Sequence, residues 1–211
     1  MTVKHNPNFT ELSDNIYINK DNAMDKQKIL SLIKQAEERD REFYGDLHYT
    51  DDTIFIIFDD KNLTPKVGDD HATQTTPSKK NYICISDEYF EIDIIAHEIT
   101  HSELHTRLTM NALNNLPTWF NEGLATQNDY REKYSEEQWI AKTDNGKNAA
   151  DLDDMDTPQE FYAGEVEDKI FKYINAKHEI AQWMSSHGQR GLIELIDKLA
   201  DGADFYTAYS Q

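Results

Sequence analysis

From Phe90 to Arg107 two stripes run along the chain at helical spacing, and together they leave little choice about how this segment folds. Phe90, Ile94, Ile95, Ile99 and Leu104 form an apolar face, while Asp93, His97, His101 and His105 recur every four residues on another. Ser86 or Asp87 offers an N-cap just upstream. The segment reads as a helix with one face in a core and its histidines turned elsewhere. Immediately before it, Tyr82–Ser86 (YICIS) reads as a strand.

Within that helix, His97-Glu98-Ile99-Thr100-His101 sets two imidazoles four positions apart. Four helical residues turn through about 400°, so both rings leave the same face about one turn apart. Two neutral imidazoles so placed can share one tetrahedral zinc ion. Glu98 is rotated about 100° from His97 and falls beside the metal rather than on it. A carboxylate in that position can take a proton from an attacking water, the chemistry of amide hydrolysis. The pentapeptide alone is a weak signal, because two surface histidines on an ordinary helix also fit it.

Two histidines need a third protein ligand and an open position. The best candidate is Glu122, which lies 21 residues past His101 in Leu116–Gln127 (LPTWFNEGLATQ). Pro117 suits the first turn of a helix there. The interval is long enough for that helix to return across the first, and Gly123 removes a side chain where the two would crowd. A carboxylate inside an apolar stretch is costly unless paired or coordinated, so a metal accounts for its company. His105, a full turn beyond His101, is awkward as a fourth ligand and reads as structural or solvent-facing. Trp119 and Phe120 read as core packing.

The rest of the chain bounds the possibilities. Its 211 residues suffice for a single domain over 1–211, with an N-terminal α/β lobe (about 1–108) and a helical C-terminal lobe (about 109–211). Forty acidic against 21 basic side chains give a formal charge of −19. Such a field repels phosphate backbones, which argues against nucleic acid and would favour a cationic peptide or protein substrate. Cys84 is the only cysteine, so neither an intrachain disulfide nor a cysteine-based zinc site can form. No run approaches the length of a membrane span, and the first twenty residues lack the apolar core of a signal peptide. The expected compartment is therefore cytoplasmic, with a trimmed leader or signal-less export left open.

Elsewhere, 15–19 and Thr53–Phe58 read as strands, and about 22–43 as an amphipathic helix carrying Ile29, Leu32, Ile33 and Ala36. Residues 59–81 read as a long polar loop containing Pro65, His71 and Pro77. Eight acids and no Lys or Arg between 151 and 168 suggest a solvated face or loop, within which Thr157-Pro158-Gln159-Glu160 resembles a capping box. Residues 167–186 read as a helix closed by Gly188, and Leu192–Ala200 as another ended by Gly202.

HEITH followed at this distance by LPTWFNEGLA resembles the gluzincin metallopeptidases, in particular the peptidase MA-like and aminopeptidase group, across both strands at 53–58 and 82–86 and both motif helices. The resemblance implies an α+β, zincin-like fold: a small twisted mixed sheet packed on the HExxH helix, then a helical C-terminal lobe. It implies one Zn2+ held by His97, His101 and Glu122, with Glu98 as general base and proton shuttle. It implies that Tyr82, Ile83, Cys84 and Ile85 form a sheet edge to which substrate adds as a strand. It also implies a tyrosine on a later helix aimed at the oxyanion, for which Tyr173 is the choice and Tyr162, His178 and His187 are rivals.

Two departures bear on the activity. KKNYICIS lacks the Gly-x-Met-Glu-Asn acid with which aminopeptidases of this group hold an amino terminus, which favours an endopeptidase over an aminopeptidase. Thr126 and Asn128 stand where many gluzincins carry an acid after the ligand glutamate, so support for the ligands would fall to Thr126, Asp93 or backbone carbonyls. The expectation is a zinc metalloendopeptidase. The alternative from another class is a zinc-binding regulatory module with little turnover, which would have no need of Glu98.

Overall fold

The structure, a computed structural model, describes residues 3–59, 72–75 and 80–211. It is α+β, and the chain divides into two compact units, one of residues 1–41 and 46–106 and one of 42–45 and 107–211.

The first unit holds a mixed sheet whose described strands are β1 (Phe9–Ser13), β2 (Ile16–Asn19), β3 (Thr53–Phe58), β4 (Ala72–Thr75) and β5 (Asn81–Ser86). Their order is β1-β2-β3-β5-β4, with β2, β3 and β5 parallel and both outer strands antiparallel to their neighbours. The β1–β2 hairpin turns at Asn15, whose φ of 59° is left-handed, a conformation asparagine tolerates better than most residues. Neither β1 nor β4 is among the strands that the sequence pattern marks. β4 falls inside the segment expected to be loop, where Pro65, His71 and Pro77 lie outside the described residues.

α1 (Lys26–Tyr44) joins parallel β2 to β3, and α2 (Ile92–Arg107) follows β5. Strand side chains alternate between faces, so Phe55 and Ile57 of β3 and Ile83 and Ile85 of β5 point together into one core. There they meet Ile29, Ile33 and Ala36 of α1 and Ile95 and Ile99 of α2. The apolar stripe that predicted α2 is its buried stripe. Its start is later than the N-cap signal implied: Asp87–Tyr89 forms a separate turn of 3-10 helix, and Phe90, at φ −80° and ψ 79°, interrupts the path before Ile92.

Polar contacts then fix how α2 is rotated. Buried Asp40 of α1 accepts the Thr100 hydroxyl at 2.6 Å, and Arg39 pairs with Asp93 at 2.6 Å. Thr53 and Ser102 share a 2.7 Å hydroxyl contact, and Asn81 donates to Thr106 at 3.0 Å. Glu103, fully buried, accepts the backbone N–H groups of His48 and Tyr49 at 2.7 and 2.8 Å. These donors and acceptors are paired with one another, as burial of polar groups requires.

The second unit is helical: α3 (Met110–Asn114), α4 (Thr118–Gln127), α5 (Glu136–Thr143), α6 (Pro158–Phe161), α7 (Val166–Ala200) and α8 (Phe205–Tyr209). Trp119 and Phe120 of α4 meet Phe205 and Tyr209 edge-on or tilted in one aromatic cluster, the core role expected of them. Asp156, from the acidic segment, accepts Trp119 Nε1 at 3.1 Å and the Tyr206 hydroxyl at 2.5 Å, while its carbonyl caps Thr118 N at 2.7 Å. One member of the acidic run is therefore structural. α7 is interrupted at Gly188, whose φ of 62° and ψ of −172° leave the helical region where the sequence placed a helix end. Among the described residues, no helix is long and apolar enough to cross a membrane.

Gly123 marks the closest approach of α4 to α7. A Cβ there would lie 2.6 Å from the Ala176 carbonyl oxygen and 2.9 Å from Ile180 Cγ1. The crowding inferred from sequence is real, but the neighbour is α7 rather than α2. Gly123→Ala should overpack this contact and destabilise the protein by about 1–3 kcal/mol, read as a lower urea midpoint at unchanged slope; an unchanged midpoint would refute the packing described.

Candidate metal centre

With the apolar stripe and the polar clamps of α2 committed to the core, His97, Glu98 and His101 are left on the remaining arc of the helix. All three are nonetheless nearly closed to solvent, at 9%, 7% and 7% exposure. His97 and His101 present Nε2 to Nε2 at 3.1 Å, their rings nearly perpendicular. Two nitrogens bonded to one zinc at 2.0–2.1 Å in tetrahedral geometry would stand about 3.3 Å apart, so the spacing suits a shared ion with little adjustment.

Glu122, 5% exposed, completes the set. Donor atoms of His97, His101 and Glu122 all lie within 4.8 Å of one another, and among the described residues this is the one His/Cys/Asp/Glu group able to hold a metal ion. Two imidazoles and a carboxylate form the donor set of an open zinc site. The buried group of His97, His101 and Glu122 can thus bind a metal ion.

The surroundings of Glu122 within its own unit are phenolic. The Tyr162 hydroxyl donates to Glu122 Oε1 at 2.5 Å. Tyr173, on α7, also hydrogen-bonds Glu122. Its own pKa is pushed well above the usual phenol value, first by burial, then by the charge of Glu122 and by the neighbouring Tyr162 and Tyr134. Tyr173 thus stays a neutral donor. The two tyrosine candidates named from sequence converge on one carboxylate. The rival histidines are engaged elsewhere. His178 stacks on Trp139 at 3.4 Å between centroids and pairs with Glu136, and His187 stacks on Trp183 at 4.2 Å. His105 is half-buried and does not belong to the metal-binding group.

Two of the proposed supports have partners of their own, and the proposed edge needs correction. Thr126 donates to the backbone carbonyl of Glu122 at 2.6 Å rather than to its carboxylate, and Asp93 is held by Arg39. β5 is not a sheet edge: it lies between β3 and β4 and is hydrogen-bonded on both sides. Tyr82, Ile83, Cys84 and Ile85 therefore have no open backbone ladder to offer an added strand, and Ile83 and Ile85 are wholly buried in the core. Among the described residues, the outer strand on that side is β4. Cys84 is near enough to Glu98 to feel its charge. Burial first, and that charge second, raise its thiol to about 11, so it is a protonated neighbour and not a nucleophile.

Comparison with protein-family models and comparison with curated proteins both find no match for this chain.

A ligand that binds only the folded state at a hundredfold excess over its Kd stabilises by about 2.7 kcal/mol, which at this chain length is a rise in Tm of about 5–10 °C. Zinc should produce that rise in the chelator-treated protein and not in His101→Ala. An equal rise in both would place the metal elsewhere.

Proposed function

We propose that this protein is a zinc-dependent peptidase of the gluzincin type with a zincin-like fold, cleaving within peptide chains. The observation that carries the proposal is the conjunction of a buried two-histidine, one-glutamate donor set with a buried carboxylate, Glu98, adjacent to the first histidine on the same helix. A structural zinc site is closed by four protein ligands, whereas three donors leave a position open for water, and Glu98 stands next to the first histidine on the same helix, as a base for that water would.

His97, His101 and Glu122 would hold one Zn2+, which supplies a Lewis acid and lowers the pKa of water when bound. Glu98 then accepts the proton of the attacking water and returns it to the leaving amine, a general base followed by a general acid. Tyr173 donates its hydroxyl to the carbonyl oxygen as charge develops there. β4, rather than β5, offers the outer backbone edge on which an extended substrate segment can lie as an added strand. An aminopeptidase would need an acid to hold the substrate's amino terminus, and the β5 segment NYICIS provides none. The negative formal charge favours cationic peptides.

Glu98→Ala tests this directly. The variant should keep its metal and lose about 10²- to 10⁴-fold in kcat on a mixed peptide library followed by mass spectrometry, and chelation should silence the wild type. Unchanged cleavage in Glu98→Ala, or cleavage that survives removal of the metal, would overturn the proposal.

A further inference from the structure

The two phenols on Glu122 are built differently, and the difference separates their roles. Tyr173 projects from the middle of the long helix α7. Tyr162 follows a helix of only four residues, yet the chain on either side of it is fastened at several points. Upstream, Thr157 and Glu160 form a complete capping box: Glu160 N donates to Thr157 Oγ1, and Thr157 N donates to Glu160 Oε2 at 3.0 Å. Downstream, Glu165 and Asp168 form a second one at the start of α7. Between them, the Lys172 ammonium donates to the carbonyls of Glu160 at 2.5 Å and Ala163 at 3.0 Å, bracketing Tyr162 from both sides.

Phe161, fully buried, then sets the rings. It meets Tyr162 edge-on at 5.3 Å and Tyr173 edge-on at 5.0 Å, packing against both phenols. A surface segment carrying this many local ties would otherwise need none of them, since α6 buries little beyond Phe161. What the ties deliver is one hydroxyl at a fixed place, 2.5 Å from Glu122 Oε1.

We infer that Tyr162 is a positioning residue for the third metal ligand: its hydroxyl orients the Glu122 carboxylate for metal binding, and the Lys172 bracket holds the hydroxyl there. The inference rests on the metal centre proposed above. A ligand carboxylate oriented by an outer hydrogen bond loses metal affinity when that partner is removed. Tyr173 carries no such bracket, and in the proposed mechanism its hydroxyl exchanges Glu122 for the reacting carbonyl when substrate is bound. Tyr162 therefore governs how tightly metal is held, and Tyr173 how fast the loaded protein turns over.

The experiment is a competition titration of zinc against a chromophoric chelator for wild type, Tyr162→Phe, Lys172→Met and Glu122→Gln. It is paired with the visible absorption of the cobalt-substituted forms and the Tm of each metal-free form. Tyr162→Phe should weaken zinc binding by about 10- to 100-fold, shift the cobalt bands and leave the metal-free Tm unchanged. Lys172→Met should weaken binding in the same direction by less, and it supplies the readout if Tyr162→Phe fails to fold. Wild-type affinity and wild-type cobalt bands in Tyr162→Phe, with binding lost in Glu122→Gln, would overturn this inference while leaving the metal centre standing. Absence of binding in the wild type, or full binding in Glu122→Gln, would overturn both.

Discussion

The rotation of α2 about its own axis is the constraint on which the rest depends. An amphipathic helix can roll by tens of degrees against a sheet while its apolar face stays covered, and a roll of that size would carry His97 and His101 away from any common donor. Here polar contacts hold the roll. Asp40 and Glu103 are buried carboxylates, Asp40 accepting the Thr100 hydroxyl and Glu103 accepting two backbone N–H groups, and Ser102 meets Thr53 on the sheet. Removing one partner would strand a buried polar group at a cost of about 1–3 kcal/mol, more for a charge. Apolar packing brings α2 to the sheet, and these contacts decide which arc of it remains for chemistry.

The second unit meets a comparable demand with different means. Glu122 lies on a helix packed tightly against α7 through Gly123, so its backbone has little freedom. Its side chain does, and a glutamate has three torsions to lose on ordering. Two phenols restrict it, one carried by a long helix and one by a short segment stapled at both ends. The buried carboxylate is costly in isolation and reasonable in the company of hydroxyl donors and of two histidines with which it can share a metal ion.

Much of this was legible in the sequence, for identifiable reasons. α2 announces itself because its apolar period matches its burial, β3 because a β-branched and aromatic run fits a strand buried on both faces, and the histidine pair is visible because helical spacing translates directly into geometry. Glu122 stood out as a carboxylate among apolar neighbours, and Gly123 as a missing side chain, although the neighbour it accommodates is α7. The sheet edge was misassigned because strand order depends on long-range pairing: β4 carries no alternation of its own and takes its conformation from β5. Tyr173 was preferred to Tyr162 from the sequence, but the contact of Tyr162 with Glu122 was not foreseen, since nothing in the spacing shows Lys172 reaching back to two carbonyls. The capping box at Thr157 was readable, and it was the only local hint that the segment leading to Tyr162 is held rigid.

The claim that His97, His101 and Glu122 together bind one metal ion is tested most directly by X-ray absorption at the zinc edge of the stoichiometrically loaded protein. The proposed zinc site predicts two imidazole nitrogens at about 2.0–2.1 Å and oxygen completing a four-coordinate shell at about 2.0–2.2 Å, with the imidazole scattering reduced in His97→Ala. A sulfur shell near 2.3 Å, which only Cys84 or an intermolecular site could supply, or an all-oxygen shell indifferent to His97, would contradict it.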